Sequence, residues 1–218
     1  MASVVEICNL ALSNIRAKSI NSLTEGSIEA QQCALKYPIV RDMLLRDTPW
    51  QWAQTIQPLA LRTEDPLQWV YAYQYPSDCL NLQYVTADFG FKSQDATGLR
   101  FRNLRQIVFI EPDKRVPFEI QNIDNNRAVL TDQIEAYAFY TKKITDPNLF
   151  DSQFLMALSW YLGAELAVPI MGGDIGMKMR ADALQMYTSL IGAAIAANGN
   201  EQDRPRRQQS DMITARTT

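Results

Sequence analysis

The segment from Ser22 to Ala53 constrains the fold most, because its apolar residues recur at helical spacing on two different sides. One set consists of Ile28, Leu35, Ile39 and Met43, and the other of Ala30, Ala34, Tyr37, Val40 and Leu44. A helix with two apolar faces needs two neighbours, since a face left in water forgoes about 25 cal/mol per Å². We predict one helix from Ser27 to Asp47, with its second face either in the core or against another subunit.

The first helix is predicted near the N-terminus. Ser3 and Glu6 have the spacing of a capping box, which predicts a helix from about Val4 to Arg16. Its apolar face consists of Val5, Cys8, Leu12 and Ile15. This face should pack against the long second helix.

Two further helices are predicted after residue 145. Asp146 and Pro147 have the residue types of an N-cap and of the first helical position. The apolar stripe that follows consists of Phe150, Phe154, Leu155, Leu158, Leu162 and Leu166. We predict that this helix ends at Pro169, that Gly172-Gly173 forms a hinge, and that a final helix ends near Asn198.

The hydrophobic period changes from 3.6 to 2 after Trp52, which predicts a β-rich region between the helices. One predicted strand face carries Trp69, Tyr71, Tyr73 and Tyr75, and another carries Leu80, Leu82 and Tyr84. The segment from Ile107 to Ile110 predicts a short buried strand. The run Asp124-Asn125-Asn126 predicts the tight turn of a hairpin.

These patterns predict an α+β fold, in which N- and C-terminal helices form one bundle around an inserted antiparallel β-rich region. We divide the chain into the first part of the bundle (1–54), the β-rich insertion (55–145), the second part of the bundle (146–199) and an extended tail (200–218). Residues 201–218 carry four arginines against three acidic residues and could extend to about 60 Å. Such a tail buries too little apolar surface to order itself.

The composition argues against the common catalytic classes. The chain has no histidine, so Ser-His-Asp and Cys-His catalysis and imidazole metal ligands are excluded. Its three cysteines, Cys8, Cys33 and Cys79, have no metal-binding spacing, and we interpret them as reduced packing residues of a protein synthesised in the cytoplasm. We expect no cofactor, no metal and no enzymatic activity.

The charge and hydropathy patterns bear on the partners. A net charge of −3 gives no basic footprint for nucleic acid. No apolar run reaches the roughly 18 residues of a membrane span, and no signal peptide is visible, so we expect no membrane contact. The glycine-containing run from Met171 to Gly176 lacks the ending of a phosphate-binding loop and is better explained as a turn between helices.

Five segments, in this order, resemble the head-to-tail adaptor family of short-tailed bacteriophages and are similar to tail tubular protein A. They are NLALSNIRAKSINSLTEGSIEA, YPIVRDMLLRDTPWQWA, YAYQYPSDCL, FDSQFLMALSWYLGAELAVPI and SDMITAR. The chain departs from the family pattern at Arg16, where glycine is common, at Trp52, where phenylalanine is common, and at Met212, where the tail often has tryptophan.

The resemblance implies a structural virion protein at the head-to-tail junction, with no turnover of its own. About twelve copies would form a ring that connects the portal to the tail nozzle and lets the genomic double-stranded DNA pass during ejection without specific binding. The portal contacts implied for the tail are Arg204, Arg206, Arg207, Met212, Ile213 and Arg216. The nozzle contacts implied for the loop after residue 88 are Phe89, Phe91, Lys92 and Leu99. The alternative is a tail enzyme that degrades an envelope glycan with carboxylates of the β-rich region.

Overall fold

A computed structural model describes residues 3–64, 66, 68–87 and 115–200, with the side chains of 199 and 200 left aside. Its helices are α1 (Val4–Asn14), α2 (Ile28–Asp47), α3 (Ser152–Met171) and α4 (Gly173–Asn200). Its strands are β1 (Gln54–Pro58), β2 (Tyr71–Gln74), β3 (Cys79–Thr86), β4 (Arg115–Val116), β5 (Glu119–Ile123), β6 (Asn126–Thr131) and β7 (Tyr137–Lys142). The predicted α+β fold is confirmed: the N- and C-terminal helices pack together, and the antiparallel β region lies between them in sequence.

The helices α1 and α2 begin where their capping residues predict. Ser3 and Glu6 make the reciprocal hydrogen bonds of a capping box at α1, and the Ser27 hydroxyl accepts from the backbone N–H of Ala30 at α2. Thr48 is extended before Pro49, which ends α2. The long second helix is therefore confirmed with its predicted bounds.

Helix α3 lies at the centre of the bundle and packs against each of the other three helices. It is long and apolar enough to cross a membrane by length and composition, but its apolar side chains fill the shared core of the bundle. Gly163 brings α3 close to α1, because a Cβ at this position would lie 3.0 Å from the carbonyl oxygen of Ala11. The need to face three neighbours explains why α3 lacks a polar side.

Two predictions about α3 are wrong. The Asp146-Pro147 pair forms a single 3-10 turn, and Asp151 caps the helix instead, because Phe150 takes an extended conformation between them. The helix also continues past Pro169 to Met171 and ends at Gly172, whose φ of +66° favours glycine. A proline in the last turn removes only one backbone hydrogen bond, so α3 tolerates it.

The strands form two antiparallel sheets that face each other. One has the order β1-β7-β3-β4 and the other β2-β6-β5. The core between them is built by residues such as Tyr73, Val85, Val129 and Tyr140. The hairpin turn is confirmed, because Asp124 and Asn125 join β5 to β6 with φ values of 50° and 62°.

The predicted alternation in the β region is only partly correct. Trp69 precedes β2 and packs with Ala72, on the other face of its sheet from Tyr71 and Tyr73. In β3, register shifts after Cys79 and after Leu82 break the alternation. The three β3 residues predicted on one face therefore separate: Leu80 joins the helical core, Leu82 the core between the sheets, and Tyr84 a stack with Phe139. The predicted strand from Ile107 to Ile110 lies outside the described residues.

Candidate assembly surfaces

The residues that the resemblance implies as partner contacts cannot be placed. The six portal candidates in the tail (Arg204, Arg206, Arg207, Met212, Ile213 and Arg216) lie outside the described residues. The four nozzle candidates (Phe89, Phe91, Lys92 and Leu99) lie outside them as well. The search for a functional surface therefore concerns the helical body and the two sheets.

Helix α2 presents an apolar stripe to solvent. Ile28, Leu35 and Ile39 are 61%, 60% and 62% exposed, and their spacing of 7 and 4 residues places them on one side of the helix. We call these three residues the α2 stripe. Fully burying one such side chain contributes about 1.5–3 kcal/mol, so covering the exposed parts of all three would contribute about 3–5 kcal/mol.

The opposite side of α2 explains why the stripe faces outward. Ala30, Cys33, Tyr37, Val40 and Leu44 are all buried in the helical core. Met43, the fourth residue of the set predicted with Ile28, Leu35 and Ile39, instead contacts Tyr161 of α3, whereas the three residues of the stripe are more than half exposed. The second face of α2 is therefore exposed in the described part of the chain, and its contact with another subunit stays a prediction.

The relative directions of α2 and α4 follow from their contacts with two residues of α3. Tyr161 contacts Met43 of α2 and Tyr187 of α4, with 4.0 Å from its hydroxyl to the Met43 sulfur and 4.9 Å between the tyrosine ring centroids. One turn further along α3, Glu165 contacts Lys36 of α2 and Arg180 of α4. Residue numbers thus fall along α2 and α4 as they rise along α3. Helices α2 and α4 therefore run in the same direction, antiparallel to α3.

The shortest contact in this group satisfies a carbonyl that Pro169 leaves without its helical donor. Proline has no N–H, so the Glu165 carbonyl four residues earlier loses its hydrogen bond within α3. The Lys36 Nζ donates to this carbonyl at 2.7 Å and to the Glu165 carboxylate at 3.4 Å. Arg180 donates to the other carboxylate oxygen at 3.2 Å. Lys36 thereby fixes α2 against the C-terminal part of α3.

Helix α4 exposes four large apolar side chains, of which Met177 and Ile195 lie about 200° around the helix from Ile175, and Ile175 and Met186 lie on the flank that faces away from α2. Ile175 and Met186 lie three turns apart on one side and are 65% and 44% exposed. Arg180, which reaches Glu165 on the α2 side, is about 140° around the helix from Ile175. We call Ile175 and Met186 the α4 flank. Sequence analysis did not identify this flank.

Two polar clefts share a wall made by Tyr75 and Arg127. One, of about 330 Å³, lies where the end of α2 meets the sheets, and the other, of about 560 Å³, is lined by Arg62, Ser77 and Cys79 among others. The Arg127 guanidinium lies 5.6 Å from the Tyr75 ring centroid. Burial is the main cause that raises the pKa of Cys79 to about 11 and that of Tyr75 to about 12. Thiol and phenol therefore both stay protonated near neutral pH.

Two carboxyl groups of the described β region, Glu64 and Glu119, lack the property that a glycosidase acid needs. A glycosidase needs one carboxylic acid with a raised pKa. The hydrogen bond from Arg62 lowers the pKa of Glu64 to about 2, and hydrogen bonds from Gln121 and Trp69 lower that of Glu119. Asp65, which follows Glu64 in the sequence, lies outside the described residues, and among those described no group of three potential ligands could hold a metal ion.

No protein-family model and no curated protein matches this chain.

Proposed function

We propose that this chain is a structural virion protein of a short-tailed bacteriophage, a head-to-tail adaptor that forms a ring between the portal and the tail nozzle. The observation that carries the proposal is the α2 stripe, three large apolar side chains that are each about 60% exposed on one side of a helix. Contiguous exposed apolar surface marks sites of protein association. The five segments that resemble the adaptor family, in the same order along the chain, support association at the head-to-tail junction.

The proposed attachment to the portal is made by the tail. Helix α4 ends at Asn200, and the 18 residues that follow include the apolar pair Met212 and Ile213 after a polar spacer. A segment that orders on its partner gains interface area, and many weak contacts around a ring multiply into stable attachment. The ring would consist of about twelve copies, as the resemblance implies.

The proposed ring would let the genome pass without holding it. The chain carries 21 basic and 24 acidic residues. Few phosphate contacts would therefore release counterions, and affinity for duplex DNA would be weak at physiological salt. The nozzle would bind on the other side of the ring, with Phe89, Phe91, Lys92 and Leu99 as its candidate contacts.

Electron microscopy and binding assays with the portal encoded in the same genome test the proposal. Removing residues 201–218 should leave the helical body folded, with an unchanged circular dichroism spectrum, and abolish binding to portal rings. Replacing Met212 and Ile213 with serine should weaken portal binding about 100-fold or more, since two buried apolar side chains together contribute about 3–6 kcal/mol.

Replacing Gln208 and Gln209 with serine provides the matched control, because it changes the same tail without removing apolar area. Portal affinity of this control should stay within about twofold of the unmodified chain. Undiminished portal binding after removal of the tail would refute the attachment mechanism. A protein that joins neither portal nor nozzle would refute the adaptor function as a whole.

A further inference from the structure

The smaller of the two polar clefts concentrates positive charge. Arg46, in the last turn of α2, and Arg127, in β6, both line its volume of about 330 Å³. Both side chains are exposed, and neither forms an ion pair with a residue that the structure describes. Among the described residues, no aspartate or glutamate lines this cleft. We call it the arginine cleft, and its charge favours an anion, although the chain as a whole carries a net charge of −3.

Arg127 is held in place by the ring of Tyr75. Its guanidinium lies 5.6 Å from the ring centroid, a distance at which the ring attracts a cation. The Tyr75 hydroxyl in turn accepts a hydrogen bond from the Cys79 thiol at 3.1 Å, and the Tyr75 backbone N–H donates to the Arg127 carbonyl at 3.3 Å. A side chain that is already ordered loses less freedom on binding, so Arg127 is prepared for a ligand.

An amide lies beside Arg127 in the arginine cleft. The register of β5 and β6 pairs Asn122 directly with Arg127, and both line the cleft. The Cβ atoms of residues paired in this way are about 5 Å apart. On the side of α2, the Asn81 amide donates to the Arg46 carbonyl at 3.4 Å and so joins β3 to the end of α2. A carboxylate that enters the cleft therefore has two guanidinium groups and one amide as hydrogen-bond donors.

The same cleft offers apolar surface. Leu80, Leu82 and Ile120 line it, and Ile120 is 44% exposed. A ligand with methylene groups next to its charge would cover this surface, which a bare inorganic ion cannot do. The C-terminal end of α2 also brings a partial negative charge, which disfavours a doubly charged phosphate more than a singly charged carboxylate. The chemistry of the cleft therefore fits the side chain of an aspartate or a glutamate.

We propose that the arginine cleft binds an acidic side chain of a partner protein, within a segment that has an apolar residue next to it. The carboxylate lies between Arg46 and Arg127 and accepts from the Asn122 amide, while the apolar part of the segment covers Ile120. Because this pairing is partly exposed, it contributes specificity more than affinity. The inference goes beyond the proposed function and does not depend on it, since one copy of the chain provides all four residues.

Saturation-transfer NMR on the full chain tests the proposal, with the blocked dipeptide N-acetyl-glutamyl-leucine amide as the probe. We expect saturable binding with a Kd of about 1–10 mM at low ionic strength, weakened several-fold in about 0.5 M sodium chloride. The glutaminyl analogue lacks only the charge and should bind about tenfold more weakly or worse. Inorganic phosphate should displace the dipeptide only in large excess.

A double substitution, Arg46→Gln with Arg127→Gln, removes both charges at exposed positions and should leave the fold intact. It should lower the affinity for the acidic dipeptide about tenfold or more and change that for the glutaminyl analogue by less than about twofold. The matched control is Arg16→Gln with Lys178→Gln, which removes the same net charge from exposed positions that do not line the cleft. The control should bind the acidic dipeptide within about twofold of the unmodified chain. Unchanged far-ultraviolet circular dichroism verifies the folding of both variants.

Four results would overturn the inference. The first is the absence of saturable binding up to about 50 mM dipeptide. The second is equal affinity for the acidic and the glutaminyl dipeptide, which would indicate apolar contact without recognition of charge. The third is tighter binding of phosphate than of the dipeptide, which would assign the cleft to an inorganic or nucleotide phosphate instead. The fourth is an equal loss of affinity in the control, which would attribute the binding to the charge of the whole surface.

Discussion

Replacing Trp50 and Trp52 one at a time with phenylalanine tests how the end of α2 is held in the core. Both tryptophans pack on Phe154, with ring centroids 5.2 and 5.1 Å away. They differ in their indole N–H groups: that of Trp50 donates to the Leu44 carbonyl at 3.0 Å, whereas the buried Trp52 N–H has no acceptor among the described residues. Leu44 lies in the last turn of α2, where carbonyls lack helical partners.

The two changes should therefore have different costs. Trp50→Phe removes a hydrogen bond worth about 1 kcal/mol and leaves the Leu44 carbonyl without its donor, which adds about 1–3 kcal/mol. Trp52→Phe removes a buried N–H that has no acceptor. Because an unpaired buried N–H costs the folded state about 1–3 kcal/mol, its removal offsets the loss of ring contacts. We expect Trp50→Phe to lower the free energy of unfolding by about 2–4 kcal/mol and Trp52→Phe to change it by less than about 1 kcal/mol.

Urea denaturation followed by far-ultraviolet circular dichroism measures the free energy of unfolding of both variants without relying on tryptophan fluorescence. The slopes of the transitions should be equal, so that the midpoints report stability. If Trp52→Phe costs as much as Trp50→Phe, the hydrogen bond to Leu44 does not distinguish the two residues, and the reasoning is wrong.

Three further predictions concern the packing and charge of the same bundle. Gly163→Ala should destabilise the protein by about 1–3 kcal/mol, because the added Cβ would lie 3.0 Å from a backbone oxygen of α1. Gly192→Ala has no atom within 4 Å of the added Cβ and should stabilise the protein by up to about 1 kcal/mol, which thermal denaturation of the two variants measures. Lys36→Met should lower the free energy of unfolding in urea by about 1–3 kcal/mol, since it leaves the Glu165 carbonyl without a donor. Glu165→Gln removes only the partly exposed ion pair with Lys36 and should lower this free energy by less than about 1 kcal/mol. The folded state raises the pKa of Cys79 from 9.0 to about 11. The protonated thiol therefore contributes fully to stability below pH 9, and this contribution is lost as the pH rises to 11. In urea denaturation between about pH 8 and 11, the free energy of unfolding should fall less in a Cys79→Ala variant than in the unmodified chain.

The sequence was sufficient for the helices whose ends are defined by local chemistry. Ser3, Glu6, Ser27 and the Thr48-Pro49 pair each act through atoms within a few residues, so the start of α1 and both ends of α2 could be predicted. The end of α1 was predicted at Arg16 but lies at Asn14, and Arg16 has a left-handed φ of 59°. The hairpin turn at Asp124-Asn125 was predictable for the same reason, because left-handed backbone conformations favour these residue types. The start of α3 was not, since Asp146 and Asp151 both have the chemistry of an N-cap.

The β region shows where local patterns are insufficient. Alternation predicts one face for Leu80, Leu82 and Tyr84, but two register shifts in β3 distribute them among three different clusters. Such shifts depend on how β3 pairs with β7, whose residues are more than 50 positions away in the chain. No periodicity within β3 itself contains that information.

The sequence by itself determined that α2 would have two apolar faces, because the spacing of its residues requires this for any helix. The tertiary structure decided which face enters the core: the side with Tyr37, Val40 and Leu44 packs in the bundle, and Ile28, Leu35 and Ile39 remain outside. Both faces offer similar apolar surface, so only the positions of α1 and α3 distinguish them. The same packing directs the α4 flank away from α2, since Gly176 approaches the backbone of α3 so closely that a Cβ there would lie 2.9 Å from the Ala167 carbonyl oxygen.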